Sequence, residues 1–244
     1  DLDRTPMKRG DWLLQNEPLP PTDRISVQIL AEVPLNESQP VHIYHGASRT
    51  TGKLTLLQGK NAAKNDRTLA EILLDSPLFL AFGDKLILRS GDTKTLIAGA
   101  RVLEINSPKR HKRTEVRLNF LANLALAENA SQRIALTLLH NATTARQLMW
   151  TEQLTSLQLD KALAERDAVR YQDWCFNTNY EQEKTQQILT ALDTYHEQHN
   201  DQLGVSKARL YRMATLNQPE NLCILYTSDA ADDLTSDAHD NRQA

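Results

Sequence analysis

The chain has 244 residues, with 28 Lys and Arg against 31 Asp and Glu, and a formal net charge of -3. Its length allows more than one domain, and a hydrophobic content of 40% supports packed cores rather than disorder. The charge balance excludes a chain-wide electrostatic pull on nucleic acid, so any such contact must come from a local patch.

Asp1 to Met7 is polar, and Lys8 to Leu14 reads as a short strand. Pro18, Pro20 and Pro21 predict a stiff linker. Ile25, Val27 and Ile29 alternate with Ser26, Gln28 and Leu30, the pattern of a half-buried strand. Asn36 to Pro40 reads as a loop. Val41, Ile43 and His45 then alternate with His42 and Tyr44, and Leu54 and Leu56 flank Thr55. Gln58 to Arg67 is polar and loop-like. Leu69 to Leu74 predicts a strand ended by Ser76-Pro77. Leu86 and Leu88 flank Ile87, Ser90-Gly91-Asp92 predicts a hairpin turn, and Thr95 to Ile105 returns. Gly99, between Ala98 and Ala100, marks a bend or a close backbone approach. About six short strands separated by turn signals predict an antiparallel barrel.

The run from Asn106 to Arg113 breaks this composition and predicts an interdomain joint; beyond it the period becomes helical. Val116, Phe120 and Leu124 line one face, with Leu121 beside them. Ser131 to His140 and Thr144 to Thr151 predict two more helices. Thr155 and Gln158 have capping-box spacing and open a fourth, ending near Glu165. Val169 to Tyr171 and Trp174 to Phe176 flank Gln172-Asp173 as a small hairpin. Helices followed by a hairpin is the winged-helix order. Thr178 and Glu181 read as another capping box, opening a long helix with Ile188, Leu192, Tyr195 and His199 on one face. Ser206 caps a last helix carrying Leu210 and Met213. The two cysteines, Cys175 and Cys223, give neither a disulfide framework nor a zinc site and suit a reducing compartment. No apolar run is long enough to span a membrane, and no signal peptide is evident, so a cytoplasmic location is expected. The chain begins at Asp1 without Met, as a piece of a longer protein would.

Two phrases, "RTTGKLTLL" from Arg49 and "RSGDTKTLIAGARVLEIN" from Arg89, resemble the third-domain barrel of translational GTPases of the elongation factor Tu type. With "VHIYHGASRTTGKL" from Val41, "DSPLFLAFGDKLILRS" from Asp75 and "ILTALDTYHEQH" from Ile188, the chain resembles the selenocysteine-specific elongation factor family, SelB. The resemblance runs from about Lys8 to about Met213. It implies a multidomain chain: an all-β antiparallel barrel of the elongation factor third-domain type, an α+β winged-helix domain, and an incomplete second winged helix. The implied divisions are 1–21 (end of a second barrel and linker), 22–106 (barrel), 107–179 (winged helix) and 180–224 (second winged helix). It also implies the partners selenocysteyl-tRNA, the ribosome and an mRNA hairpin read by further winged helices, in a monomeric protein. GTP and Mg would belong to a GTPase domain outside these residues, leaving this stretch without a cofactor or enzymatic activity. Leu225 to Asp232 reads as a translation of TTA TAC ACA TCT GAC GCT GCC GAC, and residues 225–244 as a read-through of it. That resembles a sequencing adapter, so the segment is expected to lack packed structure.

Four clusters invite a chemical reading. Gly46 to Lys53 imitates a phosphate-binding loop, but five residues separate its glycines and Leu54 follows the lysine, so a barrel turn is expected. His196 and His199 are one residue short of zinc-protease spacing, and His42 and His45 point to opposite sides of a strand, so no metal is expected. Lys109, Arg110, Lys112 and Arg113 form the densest basic cluster. They read either as a solvated joint or as phosphate contacts to RNA, with His45 and Arg49 as further RNA candidates. Arg146, Lys161, Arg166 and Arg170 lie on the helical module, interspersed with Glu152, Asp160, Glu165, Asp167 and Asp173. The rival reading is a winged-helix DNA-binding transcriptional regulator with a β-rich sensing domain, which needs a basic recognition helix that Ser156 to Glu165 does not offer. No nucleophile–base–orienter constellation supports an enzyme.

Overall fold

The computed structural model describes residues 12, 14, 17–139, 141–199 and 205–214. Of the segment Lys8 to Leu14, only Trp12 and Leu14 fall within it, and neither is in a strand. His140 and the segment 225–244 lie outside the described residues.

The first part of the chain folds into β1 (Thr22–Ala31), β2 (Leu35–Asn36), β3 (Ser38–His45), β4 (Ser48–Leu56), β5 (Asn61–Ala62), β6 (Arg67–Leu78), β7 (Lys85–Arg89) and β8 (Leu96–Ile105). Six of these close into a barrel in the order β1-β6-β4-β3-β7-β8, every pairing antiparallel, while β2 and β5 form a separate clip. Period-two alternation drives the closure, because it sends every second side chain into one interior. Ile25, Val27, Ile29, Ile43, Leu54, Leu56, Ile72, Leu86, Leu88 and Val102 fill that interior.

Three local expectations are corrected here. Ser38 to Pro40 is not loop but strand, paired with Thr55, Leu54 and Lys53. Pro40 is tolerated because pairing with β7 begins only at His42, so its missing N–H falls where β3 has one neighbour. Ser76-Pro77 does not end β6, which continues to Leu78. The β1 register jumps from Arg24↔Leu73 to Thr22↔Leu78, and this bulge absorbs the proline where no ladder bond is required. Gly99 is not a point of close approach: it sits in regular ladder opposite Leu30 and Ile87, and a Cβ there would meet nothing within 4 Å. The close approach is at Gly52, where a Cβ would lie 2.2 Å from the Leu73 oxygen.

The second part comprises α1 (Glu115–Leu126), α2 (Ala130–Leu138), β9 (Thr143–Thr144), α3 (Ala145–Glu152), α4 (Ser156–Ala164), β10 (Ala168–Tyr171), β11 (Trp174–Asn177), α5 (Thr178–Gln198) and α6 (Lys207–Met213). From α1 to β11 this is the winged-helix order, with the short strand β9 added to the hairpin as a third strand. Among the described residues two compact units result, one of residues up to 136 together with 145–162, the other of 137–144 together with residues from 163 to 214.

In the first unit, Thr114 caps α1 by accepting the Arg117 N–H. The buried stripe is Leu121 and Leu124 with Leu118 and Ala125, packed on Leu57, Leu69 and Leu103 of the barrel wall. Val116, expected on that stripe, is instead 73% exposed, because the face that meets the barrel is rotated away from it. Trp150 of α3 packs against the barrel core cluster.

In the second unit, β11 is flanked by β10 and β9. The cap of α5 is Asn177, whose side chain accepts the Tyr180 N–H at 2.6 Å, rather than Thr178. Thr178 is already helical and its hydroxyl donates to the Asp167 oxygen. Phe176, Tyr180, Ile188, Leu210 and Ala214 form the core of this unit.

Candidate nucleic-acid interface

The β3–β4 hairpin turns at Gly46-Ala47, between the paired residues His45 and Ser48. Gly46 has φ +54 and Ala47 is not left-handed, so glycine occupies the first central position, as a two-residue hairpin turn of this hand requires. The whole Gly46 to Lys53 segment is thus turn and strand, leading from β3 into β4 rather than into a helix whose N-terminus could hold a phosphate. His45 is tucked in: its Nε2 lies 3.6 Å from Asp84 Oδ2 and its ring packs near Trp12, centroids 5.6 Å apart. Asp84 Oδ2 also accepts the Ala81 N–H at 2.8 Å. His42 is placed separately, its Nε2 3.2 Å from the Gly91 oxygen.

Arg49 pairs across from Tyr44 and is exposed. Tyr44 pairs in turn with Ile87 on β7, and the Arg89 guanidinium stands over the Tyr44 ring at 5.8 Å while donating to the Thr93 oxygen at 3.1 Å. Lys53, Lys85 and Arg89 are exposed on the same strands. The sequence reading missed these three cations. Their signal was parity: on β7, Lys85, Ile87 and Arg89 alternate with the buried Leu86 and Leu88. Beside them, the Ser90 hydroxyl and the Lys94 N–H hold the Asp92 carboxyl below its ordinary range.

The basic run after the barrel divides in two. Lys109 and Arg110 are exposed. Lys112 Nζ lies 2.6 Å from Glu71 Oε1, which also faces Arg24 Nη1 at 3.0 Å. Arg113 Nη2 lies 2.7 Å from Glu37 Oε1 and donates to the Leu56 oxygen at 2.9 Å. In the first turn of α1, Arg117 bonds Glu104, with Nη1 2.9 Å from Oε1, and reaches Ser26 Oγ at 3.2 Å.

Arg146 is paired with Glu17 at 3.2 Å and donates to the Pro18 oxygen at 3.1 Å. Arg170 Nε donates to the Gln172 oxygen at 3.2 Å, and Lys161 is exposed beside the exposed Asp160. His199 stacks on Tyr195 with centroids 4.4 Å apart, whereas His196 is exposed. Among the described residues no three His, Cys, Asp or Glu side chains are placed to share a metal ion.

Residues 22–109 match the family model of the β-barrel domain of selenocysteine-specific elongation factors, starting where β1 starts. Residues 189–232 match the winged helix of elongation factor SelB. Over 233 residues, 96% of its length, the chain is 94% identical to the selenocysteine-specific elongation factor of Haemophilus influenzae, and it covers 38% of that protein. The chain belongs to the SelB family. It is also 35% identical over 225 residues to the selenocysteine-specific elongation factor of Escherichia coli, covering 92% of this chain and 35% of that protein. A crystal structure of bacterial selenocysteine-specific elongation factor EF-Sec shares the fold, with a TM-score of 0.66 at 17% identity over 94% of this chain and 36% of that one. This SelB-family chain therefore spans less than two-fifths of the length of the curated relatives it matches. The β-rich part that the regulator reading took for a sensing domain is the SelB barrel. Among the described residues, no helix is long and apolar enough to cross a membrane.

Proposed function

We propose that the chain is the RNA-contacting barrel and first winged-helix part of a translation factor that delivers selenocysteyl-tRNA to the ribosome at UGA codons. The observation that carries this reading is the 94% identity over 233 residues to a selenocysteine-specific elongation factor. In this reading residues 22–106 form the barrel that holds the tRNA, 107–179 a winged helix, and 180–224 the beginning of a second. GTP and Mg bind a GTPase domain outside these 244 residues, an mRNA hairpin is read by winged helices further on, and the factor works as a cytoplasmic monomer.

The chemistry of RNA contact is simple attraction of phosphate to mobile positive charge, which releases condensed counterions. Lys109 and Arg110 at the joint and Arg49 on the hairpin are exposed, and Lys53, Lys85 and Arg89 join Arg49 on the outer barrel face. His45, half-buried against Asp84 and Trp12, supports the hairpin from beneath.

The test is binding of labelled tRNA to the 244-residue chain from about 50 to 200 mM salt. About four phosphate contacts give a log–log slope near -3 to -4. A binding constant indifferent to salt, or no binding at low salt, would sink the proposal. Tight binding of one duplex DNA sequence would favour a DNA-reading module instead.

A further inference from the structure

We infer that Lys112, Arg113 and Arg117 are positioning residues that clamp α1 onto the barrel wall, and that only Lys109 and Arg110 of the basic run are presented to a polyanion. The second clause rests on the RNA reading above; the first stands without it.

Each of the three cations has a fixed place on a different part of the barrel. Lys112 meets Glu71 of β6 at 2.6 Å. Arg113 meets Glu37, between β2 and β3, at 2.7 Å and the last carbonyl of β4, Leu56, at 2.9 Å. Arg117 meets Glu104 of β8 and Ser26 of β1, and Ser26 Oγ lies 2.7 Å from Ser107 Oγ at the start of the joint. The three contacts sit over the wall whose apolar residues Leu57, Leu69 and Leu103 receive Leu121 and Leu124.

Glu71 is the keystone of the arrangement. It is 4% exposed, its Oε1 serves both Lys112 and Arg24, and its Oε2 has no hydrogen-bond partner. A buried carboxylate held on one oxygen depends on its cations, because losing one leaves charge without compensation in a region water does not reach. Lys112 held this way is a poor phosphate ligand, because turning it outward would leave Glu71 with Arg24 alone; Arg113, whose side chain is 45% exposed beside an equally open Glu37, is held instead by its two bonds to Glu37 and the Leu56 oxygen. Lys109 and Arg110 carry no such obligation and are exposed. Between the two pairs His111 is left-handed, with φ 56, a local reversal that separates Lys109 and Arg110 from the two residues bonded to the barrel.

Two arms test this on the full chain. Backbone hydrogen exchange over 115–126 reads the clamp directly. Lys112→Met and Glu71→Gln should each raise exchange there at least about tenfold, and Lys112→Arg, which keeps the charge, should retain most of the protection. Lys109→Ala with Arg110→Ala should leave exchange unchanged. In the second arm, tRNA binding against salt, Lys109→Ala/Arg110→Ala should flatten the log–log slope by about 2, at roughly 0.9 per phosphate contact. Lys112→Met/Arg113→Met should change the slope by less than about 0.5. Unchanged exchange over 115–126 in Lys112→Met and Glu71→Gln would overturn the clamp, and equal flattening by both double variants would overturn the division of the run. If the parent chain shows no salt-sensitive tRNA binding, the RNA reading and the presented pair fall while the exchange arm still decides the clamp.

Discussion

The indole Nε1 of Trp150 donates to the main-chain oxygen of Leu80 at 3.0 Å. Around this bond the β6–β7 loop is held at several points: Phe79 meets Trp150 edge-on at 6.2 Å, the Phe82 N–H donates to the Thr151 oxygen at 2.9 Å, and the Arg133 guanidinium covers the Phe82 ring at 4.1 Å. Trp150→Phe keeps one aromatic ring but removes the donor and the rest of the indole, leaving the Leu80 carbonyl short of a partner. A loss of about 1–2 kcal/mol is expected, and a larger loss, about 3 kcal/mol, for Trp150→Ala, which also vacates the space against the barrel core. Urea unfolding of the three proteins checks this; equal midpoints for the parent and Trp150→Phe would show that the bond contributes nothing.

Arg133 and Glu152 form a mostly buried pair, Nη2 to Oε2 at 2.8 Å. Burial pushes the Glu152 carboxyl above its ordinary 4.5, and Arg133 offsets only part of that rise. Because its pKa is raised on folding, the folded chain binds this proton more tightly than the unfolded chain does. The stability from this group is therefore complete below about pH 4.5 and is lost as pH rises through the folded pKa. In Glu152→Gln the site no longer titrates, although Arg133 lacks its charged partner at every pH. The melting temperature of the parent minus that of the variant should thus fall as pH rises above 4.5. A difference that stays flat or grows from pH 4 to 7 would show that burial does not dominate the site.

The two barrel glycines should respond oppositely to a methyl group. Gly52→Ala drives a Cβ to 2.2 Å from the Leu73 oxygen, a backbone atom on the paired strand that cannot swing aside. A cost of about 2–3 kcal/mol, or failure to fold, is expected. Gly99→Ala meets nothing within 4 Å and its φ is not positive, so the variant should be neutral or more stable by about 0.5–1 kcal/mol. Thermal melts of both decide the matter, and a stable Gly52→Ala would mean that β4 and β6 are more loosely paired than they stand.

The start of α5 offers a comparison of adjacent residues. Asn177→Ala removes the acceptor for the Tyr180 N–H and should cost about 1 kcal/mol. Thr178→Ala removes only a bond of 3.4 Å to the Asp167 oxygen and should cost less than about 0.5 kcal/mol. Chemical unfolding monitored by circular dichroism ranks them, and the reverse order would return the cap to Thr178.

What could be read in the sequence was whatever depends on near neighbours in the chain. Alternation in β1, β3, β4 and β7 revealed strands and their buried sides, because strand geometry sends successive side chains to opposite faces. The Thr155–Gln158 box is closed as its spacing requires, with Gln158 N–H on Thr155 Oγ1 at 3.3 Å and Thr155 N–H on Gln158 Oε1 at 2.9 Å. The Ser90 to Thr95 turn also stands where its residues placed it. The family phrases worked for the same reason: they are contiguous runs. What needed the tertiary structure was every property set by a partner distant in the chain. The basic run marked Lys112 as part of a joint but could not supply Glu71, 41 residues earlier, as its partner. Gly99 and Gly52 look alike in sequence, and only the Leu73 carbonyl across the ladder distinguishes them. Ser76-Pro77 was expected to break a strand and did not, because the bulge opposite Asp23 left no ladder bond for the proline to miss. In each case the local signal was present, and the energy that decided its meaning came from a group that closure of the barrel, or docking of α1, brought alongside.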